Sequence, residues 1–252
     1  MRHCRPAIVL AFALLVVSPV PAPAQPAPDF LFSSPNGMVG FRSGWLFAHA
    51  DSELFTFVQR TLTVDRKDFN APAIGVDVEV AMTPRSSIVA GFDFSQASKD
   101  SEYRDFVDNQ RLPIAQTTRL REWNFSGSVK FALTPKVREI SRRAWVPAVV
   151  TPYVGAGAGL MRYEFVQFGD FIDVNTVNMD IFTDTLRADG WTPSAQVFGG
   201  IDVKVWRRMY VSGEARYLWS KTTASDVDFR DDTIDSIDLA GLKATVGIHY
   251  MF

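Results

Sequence analysis

Eight stretches of this chain alternate apolar and polar residues with a period of two. In "GMVGFRSGWLFAHA" (37–50), Val39, Phe41, Trp45 and Phe47 share one parity, and Gly40, Arg42 and Gly44 share the other. In "PAIGVDVEVAM" (72–82), Ile74, Val76, Val78 and Val80 stand against Gly75, Asp77 and Glu79. "SIVAGFDFSQ" (87–96) sets Ile88, Ala90, Phe92 and Phe94 against Gly91, Asp93 and Ser95. "REWNFSGSVKFAL" (121–133) sets Trp123, Phe125, Val129 and Phe131 against Glu122, Asn124, Ser128 and Lys130. Glycine and alanine blur the parity of "PYVGAGAGLMRYEF" (152–165), whose end opposes Met161, Tyr163 and Phe165 to Arg162 and Glu164. "SAQVFGGIDVKVW" (194–206) opposes Val197, Ile201 and Val203 to Gln196, Asp202 and Lys204. "YVSGEARYLWS" (210–220) opposes Val211, Ala215, Tyr217 and Trp219 to Ser212, Glu214 and Arg216. The last stretch, "AGLKATVGIHYMF", opposes Leu242, Val246, Ile248, Tyr250 and Phe252 to Lys243, Thr245, His249 and Met251.

A strand sends successive side chains to opposite faces, so each stretch predicts a strand with one apolar and one polar face. No segment carries a long helical period with caps. The connections are short at 83–86 and 206–209, and long and polar at 51–68, 97–118, 166–190 and 221–236. The link at 134–150 is longer than its place in this alternation would suggest. The expectation is an all-β fold, an eight-stranded antiparallel up-and-down transmembrane β-barrel, with short turns in the periplasm and long loops outside.

Alternation alone does not say which face is buried, and a soluble barrel would show the same pattern. Two features favour the membrane. Aromatic residues gather at strand ends: Trp45, Trp123, Trp191, Tyr217 and Trp219 at one rim, and Tyr153, Trp206, Tyr250 and Phe252 at the other. Such girdles mark the two interfaces of a bilayer. The strands also exceed the usual length of about five or six residues and match the roughly 9–11 that cross a bilayer.

The N-terminal sequence changes the domain picture. Arg2 and Arg5, an apolar run from Ala7 to Val17 and Ala22-Pro23-Ala24 form the pattern of a secretory signal peptide. We expect a signal peptide over 1–24, a short periplasmic segment over 25–36 and a barrel over 37–252. The single cysteine, Cys4, falls within the signal, which excludes disulfides and thiol chemistry from the mature chain. Without Arg2 and Arg5, 24 of the 26 basic residues face 28 acidic ones, a balance of −4. That gives no reason to expect nucleic-acid binding.

The end "VGIHYMF" resembles the sorting signal of Gram-negative outer-membrane barrels: a terminal aromatic with apolar residues at the preceding same-parity positions. "TPYVGAGAGLMRYE" and "VFGGIDVKV…VSGEARYLW" are similar to the small eight-stranded family that includes the OmpA membrane domain, OmpX and OmpW. The link at 134–150 departs from that family's tight turn. The resemblance implies an outer-membrane location, contact with outer-membrane lipid and lipopolysaccharide, and an assembly signal at Val246, Ile248, Tyr250 and Phe252 read by the barrel assembly machinery.

If the apolar face meets lipid, the other face lines the interior. It would hold Arg42, Lys130, Arg162, Lys204, Arg216 and Lys243 against Asp77, Glu79, Asp93, Glu122, Glu164, Asp202 and Glu214. An eight-stranded interior is only wide enough to be filled by side chains. These charges are therefore expected to pair as a packed network, with Glu214, Arg216 and Lys243 in one group. Catalysis finds little support. By parity His49 points to lipid at the outer rim and His249 points inward at the periplasmic end, on opposite sides of a band about 25 Å tall. The loops at 226–238 and 170–189 are acidic, with six and five aspartates to one arginine each, but the EF-hand glycine and glutamate are absent. The expected role is a non-enzymatic envelope or surface-interaction protein with no cofactor and an unidentified extracellular ligand at most. The rivals are a narrow porin or transporter, a lipid A-modifying barrel enzyme and a soluble secreted barrel.

Overall fold

The computed structural model describes residues 30–32, 34–108, 110–141, 144–172, 181–223 and 236–252. The expected signal peptide, and residues 173–180 and 224–235 in and beside the two acidic stretches, lie outside the described residues. In chain order the elements are β1 (Gly37–Ala48), α1 (Glu53–Thr61), a 3-10 turn (Arg66–Phe69), β2 (Ala71–Ala81), β3 (Ser86–Val107) and β4 (Pro113–Ala132). There follow β5 (Val137–Ser141), β6 (Ala144–Pro147), β7 (Val150–Ile172), β8 (Ile181–Trp206), β9 (Met209–Thr223), β10 (Ser236–Asp238) and β11 (Gly241–Met251).

Eight strands pair antiparallel in the ring β1-β2-β3-β4-β7-β8-β9-β11, and β11 returns to β1 through a register running from Met38↔Met251 to Ala48↔Gly241. Closure leaves the lower ring no free edge; above it, β3 beyond Ser95 and β8 before Ser194 keep a ladder partner on one side only among the described residues. β10 continues the line of β11 along the top of β9. The periplasmic turns are tight. Between β2 and β3, Thr83 Oγ1 accepts from the Ser86 backbone N–H at 2.9 Å and fixes the reversal.

Strand lengths divide the barrel into a short and a tall wall. β1, β2 and β11 have 12, 11 and 11 residues. At about 3.3 Å per residue and a tilt near 40°, that spans one bilayer. β3, β4, β7 and β8 have 22, 20, 23 and 26 residues and rise well beyond it. Most of the segments 97–118 and 166–190, expected as loops, are therefore strand wherever they are described. Pairing continues there because each long strand has an equally long neighbour, as in Gln116↔Gly169 and Phe168↔Thr185.

Two further expectations are corrected. The segment 51–68 contains α1, nine residues whose Leu54, Phe55 and Val58 are buried on one face. Ser52, at its N-cap, makes no side-chain capping bond. The helix is too short to stand alone and is held by packing. The link at 134–150 folds as the β5–β6 hairpin, and Leu31 joins its β6 edge, with Leu31 N–H donating to Trp145 O at 2.9 Å and Trp145 N–H to Leu31 O at 3.0 Å.

Candidate functional site

The membrane part of the ring has inverted polarity. Val39, Phe41, Val76, Val78, Ile88, Phe125, Val129, Leu160, Val197, Val246 and Ile248 are large, apolar and exposed on the outer surface. The inner face buries charges instead. A soluble protein could not present such a belt to water without associating, whereas lipid solvates it. Outer aromatic contacts, Phe94–Trp123 at 5.7 Å and Tyr217–Trp219 at 4.7 Å between ring centroids, mark the upper girdle. No helix among the described residues is long and apolar enough to cross a membrane; strands do the crossing. The fold defines a transmembrane β-barrel of the outer-membrane type.

Inward-facing side chains occupy the lumen in three layers, with a cavity of about 360 Å³ left at the periplasmic end between Met38, Glu79, Lys136, Trp145 and Met251. In the middle layer, Arg42 contacts three carboxylates: Asp77 at 3.0 Å, Asp93 at 3.3 Å and Glu214 at 2.7 Å. Arg216 shares two of them, reaching Asp93 at 3.3 Å and Glu214 at 2.8 Å. His249 Nε2 stands 3.3 Å from Asp77. Nearer the periplasm, Lys130 reaches Glu79 at 3.1 Å and Asp202 at 2.8 Å. Tyr153 joins the two groups, its hydroxyl donating to Glu214 at 3.0 Å while Lys130 Nζ sits 3.7 Å from its ring centroid. Lys243, inward on β11, is buried on the same inner face as Asp93 and Glu122. Glu122 accepts from Ser95 Oγ at 3.1 Å. Such a set holds together only because each charge meets an opposite one; alone, any of them would be strongly destabilising in a dry lumen.

Glycines make the room. A Cβ on Gly155 would fall 2.2 Å from the ring of Phe198, and one on Gly40 would fall 2.0 Å from the ring of His249. The inward aromatic and imidazole rings occupy the space those side chains would need.

The lower layer is a stopper. Leu31, Met38, Tyr210 and Met251 form a buried apolar cluster, with Val137 and Trp145 of the hairpin packed against it. Lys136, at the base of the hairpin, pairs with Glu79 and donates to Ser87 Oγ at 2.8 Å. Burial pulls its ammonium down to about 8, against the attraction of Asp202. The upper layer is apolar. Leu54, Phe55, Val58, Leu62, Val64 and Phe69, contributed by α1 and its flanks, meet inward-facing Leu120, Met161, Tyr163, Phe165, Ala188 and Leu218 of the tall wall.

Most of the residues expected inside are brought together in the middle layer: Arg42, Asp77, Glu79, Asp93, Glu122, Lys130, Asp202, Glu214, Arg216 and Lys243 are all buried there. Lys204 is part-buried at the periplasmic end of β8, and its backbone N–H donates to Val149 O at 2.7 Å. Arg162 and Glu164 are corrected. They face outward, and the odd positions Met161, Tyr163 and Phe165 face inward. Tyr153, expected in the lower girdle, also faces inward and is 2% exposed. Tyr153 borders the Gly/Ala stretch of β7, where hydrophobicity carries no parity signal, whereas at Arg162 and Glu164 the apolar parity faces inward instead of outward. Lys136 and His249 belong to the lumen too; the first was hidden in an apparent loop. Lys243 lies opposite Arg216 in the register and is buried on the same inner face.

At the outer surface Val246, Ile248, Tyr250 and Phe252 form one exposed apolar row, while Met251 is buried. His49 lies at the upper rim with its Nδ1 3.0 Å from Asp238 Oδ2. His249 pairs in register with Gly40, nine residues lower on β1, so the two histidines are about 30 Å apart along the strand. Among the described residues no group of His, Cys, Asp and Glu is arranged to hold a metal.

No protein-family model matches the chain, and no curated protein matches its sequence. It is similar in structure to small outer-membrane barrels. Neisserial surface protein A is 10% identical with a TM-score of 0.47, over 90% of this chain and 100% of that one. The outer membrane protein OprG from Pseudomonas aeruginosa is 9% identical with a TM-score of 0.45, over 88% and 99%. AlkL, solved in lipid bilayers, is 16% identical with a TM-score of 0.38, over 92% and 96%. The architecture of the present chain stands on its own strand pairing and polarity.

Proposed function

We propose that this is a non-enzymatic surface protein of the outer membrane, whose barrel is a closed anchor and whose tall wall carries the contacts with the outside. The observation that carries this reading is the triple filling of the lumen: an apolar plug around α1, an ion-paired middle and a hairpin stopper. A solute would have to displace all three. Catalysis has no comparable support, since His49 is paired with Asp238 at the rim and His249 is enclosed beside Asp77. The test is conductance of the purified protein in planar bilayers. The wild type should give no steady channels. Large, steady single-channel currents would overturn the reading in favour of a narrow porin or transporter.

A further inference from the structure

Four strands of the tall wall change from apolar to polar directly beyond the girdle on their outward faces. On β4 the order is Phe125, Trp123, Arg121, Arg119; on β8 it is Trp191, Asp189, Arg187; on β7, Leu160, Arg162, Glu164; on β3, Phe94 is followed by Gln96. The register sets Trp123 beside Arg162 and Arg162 beside Trp191, then Arg121 beside Glu164 and Glu164 beside Asp189. Arg119 and Arg187 flank Val166 one step higher.

The cluster is braced but not neutralised. Glu164 accepts from Arg121 at 3.2 Å and from Arg187 at 2.8 Å; Asp189 accepts from Arg187 at 3.1 Å and from Arg162 at 3.1 Å. Gln96 Oε1 accepts from Arg121 Nε at 2.8 Å. The Nε of Arg119 is buried and has no hydrogen-bond partner among the described residues. Three guanidinium groups therefore share two carboxylates, with Arg119 one step higher on the same face, and the side chains of Arg121, Arg162 and Arg187 remain 32%, 41% and 50% exposed. The two acids fix the forks in place while leaving donors free.

We propose that this arginine cluster binds the phosphate groups on the headgroup of an outer-leaflet glycolipid. Position selects the partner: the site begins at Trp123 and Trp191, whose rings mark the membrane interface, so its lower part is within reach of lipid. Charge selects the group: guanidinium forks match phosphate oxygens bidentately, and four arginines gathered on one face next to the bilayer favour a multiply anionic head. Rigidity favours affinity, because β4 runs paired between β3 and β7 here, and β7 between β4 and β8, so little order is lost on binding. The short wall offers a different surface, with the His49–Asp238 pair at its rim. The lipid is thus held on one side of the barrel. This inference is independent of whether the lumen conducts.

The test uses the full mature protein in mixed micelles with bisphosphorylated lipid A, with dephosphorylated lipid A, or with inorganic phosphate alone, and measures binding by native mass spectrometry. Wild type should prefer bisphosphorylated lipid A, and the Arg121→Gln/Arg187→Gln variant should lose about tenfold in affinity for it, as expected for one or two lost charge-assisted hydrogen bonds. Arg85→Gln, in the periplasmic turn, should bind as wild type does. If the double variant does not fold, Arg119→Gln replaces it and should lose about threefold. Equal binding of the two lipids, an unchanged affinity in the substituted protein, or saturation of the site by inorganic phosphate as effectively as by lipid A would overturn the proposal.

Discussion

Below the aromatic girdle, β4 sends Phe125 and Val129 outward to lipid and Asn124, Ser128 and Lys130 inward; above it, the same strand sends Arg119 and Arg121 outward and Leu120 inward. β7 does the same, passing from exposed Leu160 with inward Tyr153 to outward Arg162 and Glu164 with inward Met161 and Phe165. Along both strands the side-chain parity holds, while the outward face changes from apolar to charged and the inward face gains apolar residues. The lower region is solvated outside by hydrocarbon and must keep its polar groups within. The upper region stands in water and is built more like a soluble β-structure, with an apolar cluster around α1 beside the buried Gln116, Thr118 and Gln167. One sheet thus serves two solvents, and the girdle is where they meet. The consequence is energetic. An arginine in the lower lumen is held by necessity among carboxylates, whereas an arginine on the upper outer face is held by choice of neighbours and shares its charge with water.

The sharpest way to break this comparison is to remove one arginine from each region. Arg42→Ala leaves Asp77, Asp93 and Glu214 without their shared partner and should cost about 3–5 kcal/mol. Arg162→Ala, on the outer face above the girdle, should cost less than about 1 kcal/mol. Denaturant unfolding of the refolded protein in detergent, followed by the gel shift between folded and unfolded forms, measures both; equal losses would mean that the lumen is wet. Next in size is the addition of a charge to the outer surface. Val129→Arg places a cation in hydrocarbon and should destabilise by about 2–4 kcal/mol in lipid vesicles. Thr185→Arg, outward on the upper part of β8, should stay within about 0.5 kcal/mol. Similar effects from the two would dissolve the boundary between the regions. The smallest expected effect lies in the plug. Val58→Ala removes two carbons from the upper cluster, worth about 1.5 kcal/mol of burial. It should speed amide exchange over Glu53–Thr61 while leaving the membrane region unchanged; exchange at the wild-type rate would show that α1 is held by something other than this packing.

Much of the fold was legible in the chain. The eight alternating stretches correspond to the eight ring strands, and the tight turns after β2 and β8 fall where short polar links interrupt the pattern. Most of the lumen charges could be grouped because Asp77 and Glu79, or Glu214 and Arg216, sit at same-parity positions whose opposite parity is plainly apolar. The misplacements have particular causes. Arg162, Glu164 and Tyr153 were placed by which parity looked greasy, and that criterion reverses along β7. The long upper strands read as polar loops because their outward residues are polar. Helix α1 is short and lacks a capping bond, and the β5–β6 hairpin owes its place to Leu31, Met38, Tyr210 and Met251, which are remote from it in sequence.

What the sequence by itself determined is the period: backbone geometry alternates side chains between two faces, so the residues that share a face follow from numbering alone. It also determined the tight turn after β2, where the local Thr83 hydroxyl closes the reversal. Which face is the inside, and of what kind, was decided only by the tertiary structure. Ring closure gives the strands an inside, the bilayer sets the height at which polarity exchanges, and α1 and the hairpin reach the two openings from distant parts of the chain. Alternation is a property of neighbouring peptide units, whereas solvent and closure are properties of the whole barrel.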